Sequence, residues 1–131
     1  MEDLFARIVF GHLVGDYLLQ SKAMALNKGL VGFKGVAWCS WHCLIYTTAM
    51  CLFLWTFEFW IIALVFFSHW AIDRWSWGQK WLNLIRGRDF IQAYTGRGQY
   101  REIDIAFSCL VYAVVDNTLH LLIIWLALKS W

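Results

Sequence analysis

Long apolar runs alternate with short polar stretches along the chain, and the runs set its expected architecture. About 20 apolar residues suffice for a helix to cross the hydrocarbon core of a bilayer. Four such runs occupy residues 4–19, 36–55, 59–77 and 105–128. The first is shorter and less apolar, as suits a tilted or partly inserted helix. Only TFEF divides the second from the third, with Glu58 as the polar tip of a hairpin. The pattern predicts an all-α, polytopic membrane four-helix bundle, a single membrane domain over residues 1–131. The opening MED is acidic and no small-residue cleavage site follows the first run, so that run is expected to stay rather than be removed as a signal peptide.

Composition strengthens this reading. The chain is 61% apolar and 15% charged, whereas a soluble domain is about half apolar and about a quarter charged. Ten tryptophans are also more than a soluble domain of 131 residues readily buries. Lysine and arginine in short loops orient a membrane protein toward the cytoplasm. The first loop carries Lys22, Lys28 and Lys34, and the third carries Lys80, Arg86, Arg88, Arg97 and Arg101 against Asp89 and Glu102. The second loop has only Glu58, and the N-terminus has Glu2 and Asp3. Loops one and three are therefore expected in the cytoplasm of a bacterium, across its inner membrane, and both termini on the other side; Arg7 and Lys129 are minor dissenters.

The tryptophans agree with that layout. Trp38, Trp41, Trp75, Trp77 and Trp81 fall near the expected cytoplasmic boundary, and Trp55, Trp60, Trp125 and Trp131 near the opposite one. The net charge of +2 is explained by topology and gives no reason to expect nucleic acid; the bilayer is the expected partner. The stretch GRDFIQAYTGRGQYRE is expected as a long basic linker, or as a headgroup contact through Arg97 and Arg101.

Cys39, Cys43, Cys51 and Cys109 all lie inside apolar runs, where a disulfide framework of the secreted type is not expected. CSWHC places Cys39 and Cys43 four apart beside His42, a spacing open to metal ligation, although small cysteines also pack well between helices.

The polar residues within the runs carry the chemistry. All four histidines, His12, His42, His69 and His120, lie one per run. Three have an aspartate four residues away: His12 with Asp16, His69 with Asp73, and His120 with Asp116. A separation of four puts both side chains on one helix face. A carboxylate at membrane depth costs several kcal/mol unless paired, protonated or metal-bound, so these pairs are expected to point into the bundle. Three readings fit: a metal site, a proton or ion path, and hydrogen bonds that hold the helices together. For the first, imidazole and carboxylate suit zinc, iron or manganese. Seven candidate ligands exceed one tetrahedral set, which implies two metals or ligands with supporting partners.

The sequence of motifs resembles a group of small bacterial and phage membrane proteins known only as a domain of unknown function. The resemblance rests on His12, Asp16 and Gln20 in the first run, His42 in the second, His69 and Asp73 in the third, and Asp116, Asn117 and His120 in the fourth. It spans essentially the whole chain. This chain has Asn117 where members usually have Gln, and Arg74 and Lys80 where a lysine often follows the third-run aspartate. The pattern is more loosely similar to predicted membrane-bound metal-dependent hydrolases.

These features predict a metal-dependent hydrolase of lipid or lipid-linked phosphate, working near the cytoplasmic surface with a divalent metal, zinc foremost. His12, Asp16, His69 and Asp73 are the expected first ligands, with His42, Asp116 and His120 completing or flanking them. Asp16, Asp73 or Asp116 would take a proton, and Gln20 or Asn117 would orient substrate or stabilise an oxyanion. Neither an HExxH motif nor a serine nucleophile elbow is present. The alternative is a proton or metal-ion conduit, or a non-enzymatic effector acting as a homo-oligomer.

Overall fold

Proline is absent from the chain, so its apolar runs meet no obligatory helix breaker, and helices alone form among the described residues. The computed structural model describes residues 2–85, 87 and 89–129, Glu2 by its backbone only. Arg86, Arg88 and Trp131, counted above for topology and the tryptophan belts, lie outside the described residues.

Helix α1 (Glu2–Leu13) runs into a π-helical turn, Val14–Leu18, closed by Leu19 N–H donating to the Val14 carbonyl at 3.0 Å. A short α2 (Lys22–Asn27) follows, with Ser21 Oγ accepting from Met24 N–H. Then come α3 (Phe33–Leu54), α4 (Phe59–Trp75), α5 (Trp77–Ile85), α6 (Phe90–Thr95) and α7 (Arg101–Leu128). Trp55 and Ser76 adopt left-handed backbone conformations, with φ of 57° and 51°, which end α3 and α4.

The long helices pack in a ring: α1 on α3, α3 on α4, and both α4 and α1 on α7. Gly11 and Gly15, one turn apart, make the α1–α3 approach close. A Cβ at Gly11 would stand 2.8 Å from Met50 Sδ, and one at Gly15 would stand 2.6 Å from Tyr46 Cδ2. Small residues at this spacing let helix backbones approach closely. One end of the bundle is filled by Ile8, Met50, Leu54, Ile61, Val65, Ile124 and Leu128.

Two helices, Phe33–Leu54 and Arg101–Leu128, are long and apolar enough to cross a membrane by length and composition. The other two predicted spans are shorter as helices. The first is divided by the π turn, and the third stops at Trp75 because Ser76 turns the chain into α5. The outer surface is nevertheless apolar: Phe10, Leu44, Phe59, Phe67, Leu110, Val114 and Leu122 are all exposed.

The stretch expected as a linker, residues 87–102, instead contains α6 and the start of α7, and α5 lies between it and α4. Asp89 Oδ1 caps α6 by accepting from Ile91 N–H at 2.6 Å, and α5 buries Gly78 and Leu82. Both helices pack on α7. Arg101, expected to meet a headgroup, donates from Nε to the Tyr94 carbonyl at 2.9 Å and lies over the Tyr94 ring.

Candidate metal centre

Each of α1, α3, α4 and α7 delivers one imidazole to the same buried volume. His12, His42, His69 and His120 are all at most 1% exposed. The three aspartates follow from helical spacing. His69 Nε2 lies 3.3 Å from Asp73 Oδ2, His12 Nδ1 lies 3.4 Å from Asp16 Oδ2, and His120 Nε2 lies 3.7 Å from Asp116 Oδ2. Asp16 sits within the π turn, a device that re-aims side chains and recurs at functional sites. Its Oδ1 points away from its own helix to His42 Nε2, at 3.1 Å.

The tightest part of the cluster is a triangle. His42 Nε2 stands 2.9 Å from His69 Nε2, and Asp16 Oδ1 is 3.1 Å from the first and 3.4 Å from the second. Ligand atoms bound tetrahedrally at about 2.0–2.1 Å lie roughly 3.3–3.4 Å apart, so this triangle has nearly the dimensions of one face of such a site. Asp73 Oδ2 forms a second triangle on the same pair of imidazoles, at 3.4 Å from His42 Nε2 and 3.3 Å from His69 Nε2. His42, which the sequence reading placed as completing or flanking, is thus at the middle of the cluster.

His12 is engaged differently from its expected place among the first ligands. Its Nε2–H donates to Asn117 Oδ1 at 2.6 Å, and its Nδ1 accepts from the Tyr46 hydroxyl at 3.0 Å. The Asn117 amide is itself oriented, since its Nδ2 donates to the Ala113 carbonyl. Both ring nitrogens of His12 are therefore held by protein groups, and its imidazole backs Asp16 from behind. Asn117 is likewise committed to His12 and Ala113 rather than free to turn toward a substrate. Gln20 Nε2 donates to His42 Nε2 at 3.0 Å, so the lone pair there is engaged by Gln20, whose place a metal would take.

His120 completes the set. Its Nε2 is 3.6 Å from Asp73 Oδ1, and neither of its ring nitrogens has a hydrogen-bond partner among the described residues. The groups among those residues that can hold an ion, Asp16 with His42 and His69, and His69 with Asp73 and His120, contain no cysteine. Cys39 and Cys43 are buried as free thiols within α3.

Two residues of the centre escaped the motif pattern. Lys28, counted above only as a loop charge, is carried by α2 back over the cluster, where its Nζ donates to Asp73 Oδ2 at 2.7 Å. Burial opposes its charge, but the Asp73 carboxylate outweighs this and holds its pKa above that of an ordinary lysine. No local signal predicts the contact, because it depends on the fold-back of α2. Tyr46 stacks on the His69 ring at 3.7 Å between centroids and donates to His12. Its position four residues after His42 was a legible signal.

A cavity of about 290 Å³ adjoins the cluster, bordered by Asp16, Gln20, Lys28, Tyr112, Asp116 and Asn117. Asp16 and Asp116 thus link the buried imidazoles to a recess that a small polar group can enter.

A family model described as "Protein of unknown function (DUF3307)" matches residues 4–131. No curated protein and no solved structure matches the chain.

Proposed function

Since the chain belongs to this family of unknown function, we propose from its own geometry that it is an integral membrane protein that holds a divalent metal, zinc foremost, and hydrolyses lipid or lipid-linked phosphate. The observation that carries the metal is the triangle of Asp16 Oδ1, His42 Nε2 and His69 Nε2, with edges of 2.9–3.4 Å among buried imidazoles. Charge supports it. Asp16, Asp73 and Asp116 bring three carboxylates to the cluster, and among the described residues Lys28 is the ammonium paired against them. Buried charges left uncompensated are among the costliest features a fold can carry, and a divalent cation removes the excess.

Four spans remain our reading of the chain. The 17 residues of α4 reach about 26 Å at 1.5 Å per residue, near the lower limit for a crossing. The exposed apolar residues on α3, α4 and α7 suit lipid contact. In this arrangement loops one and three face the cytoplasm of a bacterial inner membrane, and the cavity beside Lys28 faces the headgroups on that side.

Asp16, His42, His69 and Asp73 would hold the metal, with His12 packed behind Asp16 and Tyr46 fixing the His12 tautomer. When bound, the ion supplies Lewis acidity and brings the pKa of a coordinated water toward about 7. Asp116, on the cavity wall, is placed to accept a proton from an entering water. Gln20 and Lys28 border the same recess and supply donors for a phosphate oxygen. The continuous series of His and Asp contacts from Asp16 to Asp116 favours a second reading, a proton or metal-ion conduit formed by a homo-oligomer.

Metal analysis of protein purified in detergent without chelators tests the reading, followed by hydrolysis assays on a panel of lipid phosphates. Bound metal that is lost in His42→Gln, together with phosphate release that the same variant abolishes, is the expected result. Metal-free protein would overturn the proposal. Bound metal without hydrolysis, but with pH-driven current in liposomes, would replace the enzyme with the conduit.

A further inference from the structure

Asp73 faces the cluster with both carboxylate oxygens, and each oxygen meets a different imidazole. His69 Nε2 is 3.3 Å from Oδ2, and His120 Nε2 is 3.6 Å from Oδ1. The two rings are stacked, with centroids 4.1 Å apart and planes 29° from parallel. Two nearly parallel imidazoles aimed at the two oxygens of one carboxylate form the arrangement in which that carboxylate bridges a pair of cations. Paired catalytic metals stand about 3.5–4 Å apart, close to the separation of these rings. Resting on the metal reading above, we propose that the centre is dinuclear. The first ion lies at Asp16, His42 and His69, the second at His120 and Asp116, and Asp73 bridges them.

The second position has its own supporting observations. His120 is 1% exposed, yet both its ring nitrogens lack hydrogen-bond partners among the described residues. An imidazole buried so completely and left unsatisfied calls for a partner that the protein atoms do not supply. Asp116 Oδ2, 3.7 Å from His120 Nε2, lies beyond hydrogen-bond length but suits two groups that share a cation. Asp116 is also pressed into place, since a Cβ on Gly78 of α5 would stand 2.8 Å from its Oδ1. Lys28 does not block the bridge. It engages Asp73 Oδ2, and an ionised carboxylate has about four lone-pair sites to share.

Charge ranks the two positions. With the imidazoles neutral, as metal ligation requires, the three aspartates and Lys28 leave two negative charges, which one divalent ion cancels. A second ion makes the centre positive, so it binds more weakly and favours an anion in the adjoining cavity. This yields an ordered filling, first at the His42–His69 side and then at the His120–Asp116 side.

Cobalt titration of chelator-stripped protein in detergent, followed by visible d–d absorbance, counts the ions. Two equivalents per chain are expected, the second weaker than the first. Asp116→Asn and His120→Gln should each bind one, with helical circular dichroism unchanged. One equivalent in the unaltered chain, or two in both variants, would overturn the second position and leave the first intact. No binding at all would overturn the metal reading itself. Should the variants fail to fold, manganese loading of the unaltered chain decides the matter by electron paramagnetic resonance. An exchange-coupled pair is expected at saturation, and spectra of isolated ions alone would overturn the proposal.

Discussion

Around Ile8, Met50, Leu54, Ile61, Val65, Ile124 and Leu128 the four long helices meet through apolar side chains. About one or two turns further along, the same helices meet through His12, His42, His69 and His120. The apolar end owes its stability to close packing, which tolerates exchange of one apolar group for another of similar volume. The polar end has no such latitude. Imidazole nitrogens there are held by particular polar partners, as His12 is by Asn117 and Tyr46 and His42 is by Gln20 and His69, or have none among the described residues, as is so for His120. A chain needing only a stable bundle would extend the first mode along its whole length, so the second mode is where function is to be sought.

Substitutions at the two ends separate the modes. The largest effect is expected for Asp73→Ala, which strands the Lys28 ammonium and removes a carboxylate whose two oxygens face three imidazoles. Breaking a buried ion pair costs about 3–5 kcal/mol, so thermal unfolding in detergent should fall sharply and bound metal should be lost. Ile124→Ala at the apolar end should cost about 2–5 kcal/mol through the cavity it leaves, with metal content unchanged. A parallel loss of metal in that variant would show that the two ends are not independent.

Gly15→Ala tests the seam between them. The added methyl would meet Tyr46 Cδ2 at 2.6 Å, and overpacking of this kind costs about 1–3 kcal/mol. Because Tyr46 stacks on His69, metal affinity should fall together with stability, as measured by competition with a chromophoric chelator. The smallest effect on folding belongs to Tyr46→Phe. It deletes one hydrogen bond to His12 Nδ1, worth about 1 kcal/mol. The hydroxyl reaches the ligands only through His12, so metal affinity should fall by less than the about 10–100-fold that follows loss of a group bonded to a ligand. An unchanged affinity would detach His12 and Tyr46 from the centre.

The same contrast explains what the sequence disclosed. The His–Asp pairs were legible because a spacing of four is a local property of a helix, and it holds for His69 with Asp73 whatever the bundle does. Their convergence was a reasonable inference from the cost of burying carboxylates. Which nitrogen meets which oxygen was not legible. His12 has the same motif as His69, yet it is turned to Asn117 and Tyr46 by helices far away in sequence. Lys28 was hidden for a similar reason, since its meeting with Asp73 joins positions 45 residues apart through a short helix. Among the elements, α5 and α6 were passed over because they are short and their packing on α7 is tertiary.

The centre at the polar end is tested most directly by X-ray absorption at the zinc edge on zinc-loaded protein. The account predicts a shell of nitrogen and oxygen alone at about 2.0–2.1 Å, with the outer-shell scattering of imidazole, and its disappearance in His42→Gln. A sulfur shell at about 2.3 Å would place the ion on Cys39 and Cys43 and contradict the account, as would protein that retains no zinc.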